Sequence, residues 1–169
     1  MRERNRKPRH GLAAVALAAL LAAAASSPAL AAAGGIFAGL EGAWSGEGSA
    51  KLSDGSTTPL RCRATYAVSG GGDHLDQSLD CASQRQQFSF RIEIDQTNGA
   101  ILGNWRELTR QVQGGVSGQG GPGRIALVAR GQGFSAEVTA VTRGGRQSLA
   151  IAAAGGGFSS ASIVLRRGR

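Results

Sequence analysis

This 169-residue chain is poor in the side chains that usually carry chemistry, with two histidines, two cysteines, one tyrosine and one methionine. Beyond residue 31 only His74 and Lys51 remain of its histidines and lysines. A structural zinc site needs four ligands, which two cysteines without a neighbouring histidine do not supply. A serine nucleophile needs a base beside it, and no Gly-x-Ser-x-Gly elbow occurs. His74 and Asp76 alternate outward on a strand, the place of an exposed structural histidine. Glu93, Asp95 and Glu107 are candidates for a carboxylate pair of the glycoside-cleaving kind, but Glu93 and Asp95 share the polar alternation of Ser89 and Arg91 and read as solvated. Gly118-Gln119-Gly120-Gly121-Pro122-Gly123 has the spacing of a dinucleotide loop. Such a loop must open a helix, and Arg124 to Ala129 reads as a strand. The expectation is a protein that is not an enzyme and that uses no metal, no cofactor and no nucleic acid.

Long apolar runs are missing too. The longest, Leu12 to Ala25, spans about 14 residues, short of the roughly 20 that a membrane-crossing helix needs. Arg2, Arg4, Arg6, Lys7 and Arg9 precede it and Ala29-Leu30-Ala31 follows, the pattern of a secretory signal peptide over residues 1–31. The expected location is periplasmic or secreted, with no transmembrane segment after cleavage. Residues 32–42 form a short lead-in and 43–169 a single domain.

The formal charge of +8 is concentrated at the two ends of the chain. Past residue 107 the arginines face Glu137 as the sole acid. A basic surface of this kind suits an anionic envelope component.

What the chain has in quantity is glycine, 27 residues that punctuate runs of alternating polarity. Period-two alternation marks half-buried strands, expected at about 43–52, 59–68, 74–83, 86–96, 100–109, 111–119, 124–131, 134–143, 146–154 and 159–167. In one hairpin the register follows from the pattern alone. Pairing Val68 with Leu75, Tyr66 with Gln77 and Ala64 with Leu79 sets Cys62 against Cys81 on the same side and Arg63 against Asp80 on the other. A cross-strand cystine is therefore expected, as export allows.

Short connections in sequence order imply an all-β, antiparallel up-and-down meander of about 8–10 strands, preceded by a signal helix. Closure into a small barrel removes its exposed edges. The inward sets include Phe88 and Phe90, Ile101 and Trp105, Phe134, Ala136 and Val138, and Ala161, Ile163 and Leu165. Large aromatics concentrate in the first half and small residues in the second, so the interior is either a tapered packed core or contains a cavity on one side. In the second case Phe88, Phe90, Trp105, Phe134, Ala136 and Val138 are the ligand-binding residues, and the ligand is small and apolar or amphipathic.

Gly42-Ala43-Trp44 at the start of the first strand and Arg166-Arg167 at the end of the last resemble the calycins, the group of lipocalins, fatty-acid-binding proteins and avidins. The resemblance implies that Gly42 and Trp44 form the barrel floor and that Arg166 stacks on the indole. Leu40-Glu41-Gly42-Ala43-Trp44 together with the cysteine pair also resembles periplasmic inhibitors of secreted metalloproteases. That second resemblance implies a free segment near residues 32–37 that enters a protease cleft.

Overall fold

The computed structural model describes residues 34–168. The expected signal helix of residues 1–31 lies outside the described residues. Ten antiparallel strands follow one another: β1 (Gly42–Leu52), β2 (Thr57–Ser69), β3 (His74–Ala82), β4 (Gln87–Thr97), β5 (Ala100–Glu107), β6 (Val112–Gly121), β7 (Arg124–Gly131), β8 (Phe134–Arg143), β9 (Arg146–Ala154) and β10 (Phe158–Arg167). Each pairs with its neighbours in sequence, and β1 closes on β10 to complete the barrel. The bounds agree with the expected ones to within two residues. One 3-10 turn, Gly70–Gly72, joins β2 to β3.

Alternation builds the wall. Along β2 the buried residues are Leu60, Cys62, Ala64 and Tyr66, with exposed neighbours between them. The β2–β3 register is the expected one, with Val68 opposite Leu75, Ala64 opposite Leu79, Arg63 opposite Asp80 and Cys62 opposite Cys81. The two cysteines form a disulfide. Asp80 makes its ion pair with Arg91 on β4, at 3.2 Å, rather than with Arg63. The Gly-rich stretch 118–123 belongs to β6 and the turn into β7, so no helix follows it. At the β4–β5 turn Asn98 and Gly99 both adopt positive φ, 52° and 84°, as a two-residue type I′ hairpin turn requires.

One end of the barrel is plugged. Residues 36–39 make a turn that drives Phe37 and Leu40 into the base, at 0% and 4% exposure. Burial of two such side chains contributes about 1.5–3 kcal/mol each. The backbone amides of Gly35 and Phe37 donate to the carbonyls of Gly71 and Gly72. Gly72 is required at this contact because its φ is 103° and a Cβ there would lie 2.8 Å from the Gly35 nitrogen. Gly35 to Phe37 are thus built into the barrel, which corrects the expectation of a free arm over these residues.

Trp44 lies above the plug, 2% exposed, and its indole N–H donates to the Leu40 carbonyl at 2.8 Å. The cation over its ring is Arg167, at 4.9 Å, and not Arg166. Parity gives the reason: Ile163 and Leu165 point inward, so Arg167 follows them while Arg166 faces solvent opposite Ser45. Arg167 also donates to the Gly39 carbonyl, pinning the plug to the last strand. Gly42, at φ 112°, sits where an added Cβ would meet nothing, so its contribution is the backbone turn into β1.

Candidate ligand-binding site

A barrel of eight strands is just wide enough for side chains to fill, and this one has ten. The interior above the plug holds a cavity of about 150 Å³. All six expected ligand-binding residues, Phe88, Phe90, Trp105, Phe134, Ala136 and Val138, line it.

The aromatic residues do not form one wall. Four of the five phenylalanines and one tryptophan form a collar drawn from β4, β5, β8 and β10. Ring centroids run from Phe88 to Phe158 at 6.3 Å, on to Phe134 at 6.3 Å, to Trp105 at 5.3 Å and to Phe90 at 6.5 Å. Phe90 returns to Phe88 along the same face of β4. Most aromatics do belong to the first half of the barrel, as expected, but Phe134 and Phe158 complete the ring from the second. Two glycines make room for the indole: a Cβ on Gly114 would come within 2.8 Å of Trp105 Nε1, and one on Gly131 within 2.8 Å of Cζ2. The indole N–H donates to the Arg130 carbonyl at 3.3 Å.

Beyond the collar, toward the open end, lies a second space of about 310 Å³ that shares Phe88, Phe90, Trp105, Phe134 and Phe158 with the inner cavity. Glu107 lines this mouth, 3% exposed. Burial alone would raise its pKa, but the backbone N–H groups of Ser89, Arg110 and Thr109 donate to the carboxylate and hold it below the ordinary value. The Arg110 guanidinium is 3.6 Å from Glu107 and 4.7 Å above the Phe88 ring.

Toward the plug the cavity ends in a small polar group. Tyr66 donates to Gln147 Oε1 at 2.5 Å, Gln77 donates to the Tyr66 oxygen at 3.2 Å, and Gln147 donates to Thr142 at 3.1 Å. Burial raises the Tyr66 pKa, so the phenol stays neutral. Sequence reading missed Phe158, Arg110 and Gln147 as site residues, and named Glu107 only as a candidate carboxylate and not as part of a ligand mouth. Inward parity was the available signal, because Glu107 continues Ile101 and Trp105, and Gln147 precedes Leu149 and Ile151.

The candidate carboxylates do not converge, in keeping with the reading of Glu93 and Asp95 as solvated. Glu93 and Asp95 are exposed on the outer face whereas Glu107 points inward. On that outer face His74 Nδ1 lies 2.7 Å from Asp95 and Nε2 lies 3.3 Å from Asp76. The Asp95 hydrogen bond raises the His74 pKa. His74, Asp76 and Glu93 bring one donor atom each to within 4.8 Å of one another, a spacing from which one imidazole and two carboxylates can reach a cation.

No protein-family profile matches the sequence, and no curated protein does. Two solved structures share the fold. Rv2717c from M. tuberculosis superposes with a TM-score of 0.60 at 15% identity, covering 78% of this chain and 94% of its own. The S-type phycobiliprotein lyase CPES from Guillardia theta gives a TM-score of 0.60 at 9% identity, covering 79% of this chain and 90% of its own. The class that the fold defines is that of closed antiparallel β-barrels. The expectation of a protein that is not an enzyme is overturned here, since a lyase is built on the same barrel.

Proposed function

We propose that this barrel binds a small apolar or amphipathic molecule in the cavity beneath its aromatic collar. The observation that carries the reading is the interior space of about 150 Å³ with an almost wholly apolar lining. An apolar cavity near this size stays dry and admits a benzene-sized molecule. The mouth space of about 310 Å³ provides room for the rest of a larger ligand. Apolar surface buried inside contributes about 25 cal/mol per Å² before ordering costs, enough for micromolar affinity.

The site belongs, on this reading, to an exported protein. Support comes from the basic, apolar and small-residue succession of residues 1–31 and from the Cys62–Cys81 disulfide, a bond that persists in oxidising compartments. Among the described residues, no helix is long and apolar enough to cross a membrane.

Titration with the neutral probe N-phenyl-1-naphthylamine tests the binding. The expected result is saturable enhancement of probe emission with energy transfer from tryptophan that Trp105→Phe diminishes. A linear, unsaturable response would refute the reading.

A further inference from the structure

The inner cavity contains no group able to neutralise a charge. Its polar residues are Tyr66, Gln77 and Gln147, already hydrogen-bonded to one another, and the remaining lining is aliphatic or aromatic. An ionised group carried inside would lose its hydration without compensation, a cost of several kcal/mol or more. Any charge on a ligand must therefore remain at the mouth.

The mouth is asymmetric in charge despite holding one residue of each sign, Glu107 and Arg110. Glu107 is buried and its carboxylate accepts three backbone N–H groups, so its charge is met by the loop that it anchors. Arg110 is in the opposite situation. Its side chain is 40% exposed, and its ion pair with Glu107, at 3.6 Å, is longer than a hydrogen bond. Among the described residues its guanidinium makes no side-chain hydrogen bond, leaving its planar donors free, while the Phe88 face holds it above the collar. A guanidinium so presented matches the two oxygens of a carboxylate or phosphate. Gln111, Gln113 and Gln132 line the same mouth with neutral polar groups.

Building on the proposed binding site, we infer that the ligand is an anionic amphiphile bound head-out, with its hydrocarbon beneath the collar and its acidic head on Arg110. The inference extends the cavity reading by assigning a charge sign, a direction of entry and a specificity-determining residue.

Competition against N-phenyl-1-naphthylamine with four ligands of one chain length tests it: dodecanoate, dodecyl phosphate, dodecanol and dodecylammonium. A charge-assisted contact contributes about 1.5–3 kcal/mol, roughly ten- to a hundredfold in affinity. At least one of the two anions is expected to displace the probe at about tenfold lower concentration than dodecanol, with dodecylammonium the weakest. The stronger anion distinguishes a carboxylate from a phosphate head. Arg110→Gln should erase the anion's advantage and leave dodecanol unchanged, which also shows that the variant is folded, and Arg110→Lys should retain part of it. Equal displacement by dodecanol and both anions, or an advantage that survives in Arg110→Gln, would overturn the inference while leaving the cavity reading intact. Failure of the probe itself to bind would refute the cavity reading instead.

Discussion

Filling the cavity should separate stability from binding. Ala136 on β8 is 5% exposed, lines the inner space and faces Ala129 and Ala153 across the neighbouring strands, so its wall is built of small residues. Empty apolar volume costs about 24 cal/mol per Å³, which for about 150 Å³ sets a ceiling near 3.6 kcal/mol on what complete filling could recover. A phenyl ring occupies part of that space and incurs about 1–3 kcal/mol of packing strain. Ala136→Phe is therefore expected to leave stability unchanged or raise it by about 1–2 kcal/mol, a rise in Tm of roughly 4–7 °C for a domain of this size. Binding of N-phenyl-1-naphthylamine should fall at least a hundredfold in the same variant. Calorimetric melting and fluorescence titration, run beside the outward-facing control Ala126→Phe, measure both. Undiminished probe affinity in a stable Ala136→Phe protein would refute the assignment of the site. A loss of 10 °C or more, repeated with the smaller Ala136→Leu, would show that no usable space exists there.

Replacing both Cys62 and Cys81 by serine opens a loop with a sequence separation of 19. Chain-entropy arguments put the loss near 3 kcal/mol, to be read as a lower urea midpoint. Glu107 gives a pH signature. Its folded pKa is depressed, so its stabilising contribution is complete above the ordinary glutamate value of 4.5 and is lost as pH falls through the lower folded value. The stability difference between wild type and Glu107→Gln should thus be constant at pH 5–7 and shrink in stronger acid. A difference that grows on acidification would contradict the hydrogen-bonding account of this carboxylate.

The barrel was legible because its strands are bounded by glycine turns and each buries one face. The β2–β3 hairpin is the clearest instance, since a slip of one residue would have exposed Tyr66 and Leu79 and separated the cysteines. Closure followed from short sequential connections. The position of Phe158 was harder to read, because Gly155 to Gly157, all at positive φ, conceal where β10 begins and therefore which face its first residue takes. Arg167 rather than Arg166 stacks on Trp44 because alternation from Ile163 and Leu165 reaches Arg167, a signal in the strand itself that outweighs the motif resemblance.

Glu107 is legible as an inward carboxylate but not as a loop anchor: parity along β5 turns it inward, and no pattern announces that the following turn will fold its amides back onto it. That same enclosure limits what the barrel can do to a bound molecule. With three N–H donors and a depressed pKa, Glu107 remains a carboxylate at neutral pH and is poorly suited to give up a proton, while His74 lies on the outer face with its ring committed to Asp95. An enzyme-like role on this scaffold would accordingly draw on orientation and desolvation: the collar would fix a ligand's direction, the cavity would strip its water, and Arg110 would hold an acidic group projecting from the mouth.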